Sequence, residues 1–329
     1  IYVDAFRCPS SNEVGKGNEW AQQGLRDLVP VKGAITDVKP QPDGTLTFTT
    51  TTTVMGRHLE RLRSFDGDGP TTFERLATPV TERNTHFVVN AAWKAYPDGT
   101  LTMQSALLPR GRNIELGRLG YGLELDGALA NVTYEARGPF ENYPDRKSGA
   151  FPGIHASTVR EMVVDYARPN DMGNREEARW ATLADKAGAG LTVAALNGDT
   201  FAFSALPYSA TELCLTKHPQ ELPASGKTVL TVLATNRGLG GASCGPGPLS
   251  RDIPRADKPY RLNLAIRPAT APQGPVREAK AELDESMPPP PETFTVVECT
   301  SQEPGNEGGK VCDGDPSTIW PVSYTHLRA

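Results

Sequence analysis

The stretch that decides the fold is Arg137-Gly-Pro-Phe-Glu-Asn-Tyr-Pro-Asp-Arg146. It follows residues that alternate between apolar and polar, Gly122-Leu-Glu-Leu-Asp-Gly127 and then Val132-Thr-Tyr-Glu135, and a period of two residues predicts half-buried strands. Gly138-Pro139 predicts that the strand ends in a loop. The loop carries a dense set of hydrogen-bonding side chains. Considered alone, such a loop is more often a polar corner that fixes the backbone than an active site.

Turn signals elsewhere predict antiparallel hairpins. Pro42-Asp-Gly44 and Pro97-Asp-Gly99 each separate two alternating runs, and glycine supplies the positive φ that such turns need. Asn197-Gly-Asp199 predicts a third hairpin, between strands at residues 191–196 and 200–206.

Helical signals are few. Asn18 is predicted to cap a short helix, and Ser209-Ala-Thr-Glu212 is a capping box that predicts a second helix of about ten residues. Because most of the remaining chain alternates with a period of two, we predict an all-β protein built from large antiparallel sheets.

Composition and charge exclude several classes of partner. Lysine and arginine (34) nearly balance aspartate and glutamate (39), which gives a net charge of −5 with no basic stripe, so nucleic acid is not an expected partner. No apolar run approaches the roughly 18 residues that predict a membrane-spanning helix, so no membrane partner is expected. The five cysteines form no Cys-x-x-Cys pair and the five histidines show no metal-ligand spacing, so no metal site is predicted.

The composition changes towards the C-terminus. Residues 268–292 include Met287-Pro-Pro-Pro-Pro291, and consecutive prolines favour an extended, semi-rigid linker. We therefore predict four segments: a β-sandwich domain at residues 1–267, this linker, a short incomplete β module at 293–320 and an artefactual tail at 321–329. Because the chain begins at Ile1 rather than methionine, we expect it to be an internal or truncated piece of a longer protein.

Several segments, in the order in which they occur, carry a family resemblance: Phe6–Glu13, Arg137–Arg146, Tyr166–Pro169, Gly173–Arg175, Arg179–Trp180, Phe203–Ser209, Gly238–Gly241 and Ser243–Pro246. They resemble the C-terminal small-chain domain of the glycoside hydrolase family 2 β-galactosidases, which implies a β-supersandwich of the galactose mutarotase-like type. Residues 313–320 resemble the opening of a discoidin-like carbohydrate-binding module, here truncated.

This resemblance implies a part of a retaining glycoside hydrolase that acts on terminal β-galactosides in carbohydrate metabolism. Such hydrolysis needs two carboxylates roughly 5 Å apart, and in the family both stand on a barrel that would precede this chain. We therefore expect no catalytic residue here and no activity from the fragment alone. The domain is expected to complete the substrate pocket and to pack on its own enzyme's barrel. No cofactor is implied for these residues, although the family allows Mg²⁺ or Na⁺ in the full enzyme, and homo-oligomerisation stays open.

The resemblance also implies substrate-binding positions. In the family, a glycine-rich loop carries an aromatic residue towards the sugar, and here Gly241, Ser243 and Cys244 occupy that loop, with cysteine in the aromatic position. The alternative for Cys244 is a small buried apolar side chain. Asn12 and Glu13 lie where a second pocket loop is expected. Asn12 either contacts a sugar hydroxyl or caps the following turn, and the turn role is favoured.

Two other functions stay open at this stage. A sugar epimerase would need a histidine acid and a glutamate base at one anomeric centre, and His155 with Glu141 is the one pairing considered. A non-catalytic carbohydrate-binding module would need exposed aromatic residues on one sheet face, whereas the four tryptophans are dispersed. The compartment is not determined by the sequence, but the appended module favours a periplasmic or extracellular location over the cytoplasm.

Overall fold

Strands dominate the structure, a computed structural model that describes residues 1–63, 72–224, 226–241, 245–271 and 276–288. Contacts group residues 1–287 into one compact unit and place residues 288–329 in another. The strands of the described residues are β1 (Tyr2–Asp4), β2 (Leu28–Pro40), β3 (Leu46–Gly56), β4 (Glu60–Arg63), β5 (Thr72–Arg75), β6 (His86–Ala95), β7 (Leu101–Arg110), β8 (Arg118–Asp126), β9 (Asn131–Gly138), β10 (Phe151–Thr158), β11 (Arg175–Ala178), β12 (Trp180–Ala184), β13 (Gly190–Ala195), β14 (Phe201–Leu206), β15 (Lys227–Asn236) and β16 (Tyr260–Pro268). The α-helices are α1 (Val14–Gln22) and α2 (Ala210–Leu215).

Two large sheets and one small hairpin account for these strands. The larger sheet has nine strands in the order β10-β9-β12-β13-β16-β7-β6-β3-β2, and the smaller has five in the order β1-β8-β15-β14-β11. The strands β4 and β5 form a separate pair, and every strand pairing is antiparallel. The prediction of an all-β protein with large antiparallel sheets is therefore confirmed.

The apolar core follows from strand periodicity. Along β9, Val132, Tyr134 and Ala136 are buried, while the residues between them are more exposed. Leu230 and Val232 of β15 belong to the same buried cluster. Successive side chains of a strand point to opposite faces, so each sheet contributes one apolar face to the cluster. Fully burying a side chain of this size stabilises the fold by about 1.5–3 kcal/mol.

The predicted turns are present, but one of them joins different sheets. Gly44 and Gly99 adopt positive φ values of 83° and 85°, and the strands on either side of each pair as hairpins. Asn197 and Gly198 also turn the chain with positive φ. However, β13 belongs to the nine-stranded sheet and β14 to the five-stranded one, so the third predicted hairpin is wrong. A turn signal fixes the local reversal and not the partner of the next strand.

The helices differ from prediction in their bounds. The first runs from Val14 to Gln22, so Asn18 lies inside it, and the Asn18 side chain accepts a hydrogen bond from the backbone of Leu62 at 3.1 Å instead of capping the helix. The second helix begins at the predicted capping box, with Ser209 as its cap, but it is six residues long.

Much of the predicted linker lies against the larger sheet. The Glu278 backbone donates to Asn197 Oδ1 at 2.9 Å, and the Ala281 backbone donates to Gln104 Oε1 at 2.9 Å. Asn90 Nδ2 donates to the carbonyl of Asp284 at 2.8 Å. Residues 276–287 thus follow the sheet through backbone hydrogen bonds. The predicted domain bounds stay predictions, and the segments at 293–320 and 321–329 lie outside the described residues.

None of the helices in the described ranges is long and apolar enough to span a membrane.

Candidate functional site

Three loops that are far apart in the sequence meet in space. They are the 7–13 loop, which follows β1, the 139–150 loop, which follows β9, and the 237–241 loop, which follows β15. Side chains of the first two loops bond the backbone of the third. These loops carry the three predicted site residues that fall within the described residues: Asn12, Glu13 and Gly241.

Arg7 connects the 7–13 and 237–241 loops from the inside. Its fully buried guanidinium donates to Asn236 Oδ1 at 2.9 Å and to the carbonyls of Arg237 and Gly238 at 2.6 and 3.2 Å. It also donates to the carboxylate of Glu13. Burial alone would lower the pKa of Arg7, but nearby carboxylates, Glu13 first, raise it above its ordinary value. Arg7 therefore stays charged and holds the two loops together.

Glu13 faces the interior. Its side chain is 2% exposed, and its carboxylate accepts hydrogen bonds from Arg7 and from the backbone and hydroxyl of Ser10, both at 3.2 Å. Arg237 Nε lies 3.2 Å from the same carboxylate. Because a buried charge is tolerated only when it is paired and hydrogen-bonded, this environment gives Glu13 a structural role. Its contact with a sugar stays a prediction.

Asn12 holds a distant loop. Its Nδ2 donates to the carbonyl of Gly240 at 3.1 Å and to that of Leu239 at 3.4 Å. The side chain thus ties the 7–13 loop to the 237–241 loop, where the sequence favoured a bond within the adjacent turn. A contact between Asn12 and a sugar hydroxyl stays a prediction.

Gly241 continues the same loop. Its backbone N–H donates to the carbonyl of Pro246 at 2.9 Å. Ser243 and Cys244, the two other residues predicted to contact substrate, lie outside the described residues, so their roles stay predictions.

Asp145 fixes the 237–241 loop from the side of the 139–150 loop. One carboxylate oxygen accepts from the backbone of Leu239 at 3.0 Å and the other from that of Gly240 at 2.8 Å. Glycine at position 238 permits this approach, since a Cβ there would lie 2.7 Å from the Asp145 carboxylate. Charge-assisted bonds to two successive N–H groups set the orientation of that backbone.

Among the described residues, Glu141 makes no hydrogen bond to the 237–241 loop, and it connects the 139–150 loop to residues 166–173 instead. Its carboxylate accepts from the backbone of Gly173 at 2.9 Å and from the hydroxyl of Tyr166, and it forms an ion pair with Arg146. Arg137, the other arginine of the Arg137–Arg146 stretch, pairs with Glu177 at 2.7 Å. Glu141 and Asp145 therefore have separate partners, and the expectation that this chain carries no catalytic residue stays a prediction.

A buried ion network supports the 139–150 loop. Tyr143 is fully buried and its hydroxyl donates to Asp171 Oδ2 at 3.1 Å. Arg118 bonds Asp171 at 3.3 Å and Asp4 at 2.7 Å. Burial raises the pKa of Asp171 against the opposing charge of Arg118, and burial also raises the pKa of Tyr143 well above its ordinary value. Tyr143 thus remains a hydrogen-bond donor.

The pairing required for an epimerase receives no support. His155 Nε2 is buried without a hydrogen bond in the described part of the chain, and its ring lies 5.3 Å from that of Tyr134. Glu141 is already engaged with Arg146, Tyr166 and Gly173. Among the described residues, no group of three or more histidine, cysteine, aspartate or glutamate side chains is arranged to hold a metal ion.

The sequence matches one family over most of its length. The family described as "Beta galactosidase small chain" matches residues 1–266, which include all three loops. The chain belongs to the β-galactosidase small-chain family.

Curated relatives of this small chain are similar over shorter stretches. A β-galactosidase of Priestia megaterium is 36% identical over 146 residues, which is 44% of this chain and 14% of that protein. The β-galactosidase BgaC of Bifidobacterium adolescentis is 34% identical over 45% of this chain and 14% of its own length. A β-galactosidase of Staphylococcus xylosus is 24% identical over 78% of this chain and 22% of its own length. The matched part of the small chain therefore spans less than a quarter of each relative.

Sequence reasoning missed two of the three side chains that hold the 237–241 loop, Arg7 and Asp145. The Arg7 and Asp145 contacts join residues 230 and 94 positions apart in the chain, respectively, and no local pattern reports such pairs. One signal was present for Arg7, because Phe6 and Cys8 on either side of it are apolar and buried. An arginine inside such a stretch indicates a buried charge with a partner elsewhere.

Proposed function

We propose that this chain is the C-terminal domain of a β-galactosidase, in which it completes the substrate pocket and packs on a catalytic barrel carried elsewhere in the same polypeptide. The observation that carries the proposal is the Asp145 contact, which fixes the glycine-rich loop that precedes Ser243 and Cys244. Family membership and the names of the relatives support it. The domain supplies shape to the pocket and no catalytic carboxylate.

The proposal leaves cofactor chemistry to the rest of the enzyme. Mg²⁺ or Na⁺ would be bound outside this chain, and a periplasmic or extracellular location and homo-oligomerisation are further parts of the proposal. The full-length enzyme is expected to hydrolyse terminal β-galactosides, whereas the 329-residue chain alone is expected to hydrolyse none.

The decisive experiment uses Asp145→Asn in the full-length enzyme. The amide keeps one acceptor and loses the charge, so the 237–241 loop is held less firmly and KM for a β-galactoside rises about tenfold, in line with the loss of a charge-assisted hydrogen bond. The change in kcat is expected to be smaller, since the loop binds ground and transition states alike. Glu74→Asn, an exposed site in β5, is the control. Unchanged kinetics in Asp145→Asn, or turnover of a chromogenic β-galactoside by the chain alone, would reject the proposal.

Cys244→Trp tests the position that the sequence assigns to the sugar-facing residue. If the side chain faces the aglycone, an indole adds about 0.5–1.5 kcal/mol of stacking, which lowers KM for lactose several-fold. If Cys244 is buried, the larger ring overpacks its site and lowers the melting temperature.

A further inference from the structure

A small polar cavity lies beside the 237–241 loop, and the proposed function does not use it. Its volume is about 290 Å³, and β11, the start of β14, the end of β15 and residues 251–254 line it. The Gly238 backbone donates to the carbonyl of Asp252, a lining residue, at 2.8 Å, so the cavity and the loop share a wall. Ligand pockets begin at roughly 300 Å³, so this volume suits one small ligand.

Glu176 brings a carboxyl group to this cavity. One of its oxygens accepts from Asn174 Nδ2 at 2.8 Å, and the other has no hydrogen-bond partner among the described residues. Burial raises the pKa of Glu176 to about 7, against the opposing effects of the Asn174 bond and the charge of Lys147. The free oxygen therefore exists near neutrality in both the donating and the accepting form.

Asn236 brings an amide to the same cavity. The residue is 5% exposed, and its Oδ1 accepts from Arg7 at 2.9 Å and from the backbone of Arg237 at 3.0 Å. Asn236 lines the cavity, and its Nδ2 donates to no other described residue. This amide N–H is therefore available to donate to an accepting oxygen of a ligand.

The backbone of β11 is strained where it borders the cavity. The register of β11 shifts between Arg175 and Ala178, and Glu177 adopts a left-handed φ of 57°. Arg137 and Lys147 hold the Glu177 carboxylate at 2.7 and 2.8 Å. Left-handed non-glycine residues cost on the order of 1–3 kcal/mol, and bulges of this kind re-aim side chains beside binding sites.

The charges around the cavity balance. Three basic residues and three acidic residues line it, which favours a ligand without net charge: Lys147, Arg251 and Lys258, and Glu176, Glu177 and Asp252. Phe201 and Tyr260 add apolar surface, against which the C–H faces of a sugar can pack. We propose that this cavity binds a neutral monosaccharide through hydroxyl groups that bond Asn236 Nδ2 and the free carboxyl oxygen of Glu176. This proposal rests on the proposed function only in the choice of galactose as the first sugar to be tested.

The test measures binding of D-galactose and D-glucose to the 329-residue chain. Saturation-transfer NMR detects binding, and a titration at pH 6 and pH 8 gives the dissociation constant, which is expected in the millimolar range. The ionised carboxylate accepts a stronger hydrogen bond, so the affinity of the wild-type chain should rise several-fold between pH 6 and pH 8. Lys147, Glu177 and Arg7 also face Glu176, and Glu176→Gln leaves all three in place. In Glu176→Gln the affinity at pH 8 should fall about tenfold and its pH dependence should disappear.

Glu124→Gln is the matched control, because Glu124 lines a different cavity of about 560 Å³ and its side chain is 56% exposed. It should bind sugar as the wild type does, and a melting curve for each variant establishes that it is folded. No saturation transfer from either sugar, or equal affinity in wild type and Glu176→Gln at both pH values, overturns the proposal. A full-length enzyme that hydrolyses β-galactosides while this chain binds no sugar rejects this site alone. Sugar binding by this chain without activity in the full enzyme rejects the proposed function alone.

Discussion

The 237–241 loop and the β2–β3 hairpin are held in place by opposite means. Polar side chains from two other loops bond the backbone of the 237–241 loop: the buried Arg7, the half-buried Asn12 and the exposed Asp145. The hairpin relies on its backbone ladder, and its outer strand is exposed along nearly its whole length, including Val31, Ile35 and Val38 at 55–67% exposure.

Several features of β2, the outer strand of the hairpin, protect its exposed edge from pairing with another chain. Pro30 and Pro40 lack a donor, Lys32 and Lys39 add charge, and the register of β2 shifts at two places. Each of these devices disfavours pairing with another chain.

The difference shows which region of the fold depends on directional hydrogen bonds from side chains. Polar networks fix a backbone in one geometry, but they leave buried groups stranded when one member is removed. A ladder with exposed side chains tolerates substitution. The two regions should therefore respond very differently to mutation, and four experiments, in order of expected effect, test that contrast.

Arg7→Ala should have the largest effect. It removes one of the two arginines that face the buried Glu13 and takes a donor from Asn236 Oδ1 and from the carbonyls of the 237–241 loop. Breaking a buried pair by deleting one member costs about 3–5 kcal/mol. The free energy of unfolding, measured in urea by tryptophan fluorescence, should fall by that amount. Leu230→Ala, in the apolar core, provides the comparison at about 2–5 kcal/mol. A loss below about 1 kcal/mol in Arg7→Ala would contradict the assigned role.

The next largest effect is on the pH dependence of stability, which should have opposite signs for Glu176, beside the 237–241 loop, and for Asp43, in the β2–β3 hairpin. Burial raises the pKa of Glu176, beside the 237–241 loop, from 4.5 to about 7, so the folded state binds more protons than the unfolded state between these values. The contribution of Glu176 to the free energy of unfolding is on the order of 1–3 kcal/mol. It is fully present below pH 4.5 and is lost as pH rises through 7. In the hairpin turn, the Thr45 backbone lowers the pKa of Asp43, so that contribution is present at neutral pH and lost in acid.

The variant Glu176→Gln isolates the contribution of Glu176 to the pH dependence of stability. The stability of the variant relative to wild type should increase between pH 5 and pH 8. Parallel stability curves for the two proteins over that range would show that the Glu176 carboxyl is solvated and would remove the contrast with Asp43.

The sequence predicted the hairpin better than the loop because its information is local. Pro42-Asp-Gly44 contains the glycine whose positive φ the turn requires, and the alternating residues around it pair as expected. The same local signal at Asn197 marked a turn but could not show that the chain crosses to the other sheet. Partner choice depends on which apolar faces pack together, and a single strand does not carry that information.

The candidate site could be predicted only as a set of loops. The resemblance placed the 7–13 and 237–241 loops at one pocket, and the structure joins these two loops to each other and to the 139–150 loop. The roles of their side chains were not predictable, because Asn12 and Asp145 bond backbone atoms 228 and 95 residues away. Residues 276–287 likewise bond the sheet through their own backbone as well as through side chains, and the backbone bonds leave no trace in composition.

Arg146→Ala should have a smaller effect than Arg7→Ala. Arg146 is the partner of Glu141, whose side chain is 8% exposed, but the arginine side chain itself is 50% exposed. Glu141 keeps the bonds from Gly173 and Tyr166 when Arg146 is removed. The expected destabilisation is therefore about 1 kcal/mol, at the low end for stranding a buried acceptor. If the variant melts as wild type does but the full-length enzyme loses activity, Arg146 acts on the substrate and not on the fold.

Ile35→Thr in the hairpin should have the smallest effect. Ile35 is 67% exposed and pairs with Thr50, so threonine keeps the β-branched shape and extends a run of threonines across the strand pair. Surface substitutions of this kind change the free energy of unfolding by less than about 0.5 kcal/mol. Thr182→Val, which removes one hydroxyl of the buried Thr182–Thr192 pair, is the buried counterpart and should cost more, because Thr192 is fully buried. A loss above about 1 kcal/mol in Ile35→Thr would mean that this face of the hairpin is covered in solution, and sedimentation velocity of wild type and variant would then show whether a second copy covers it.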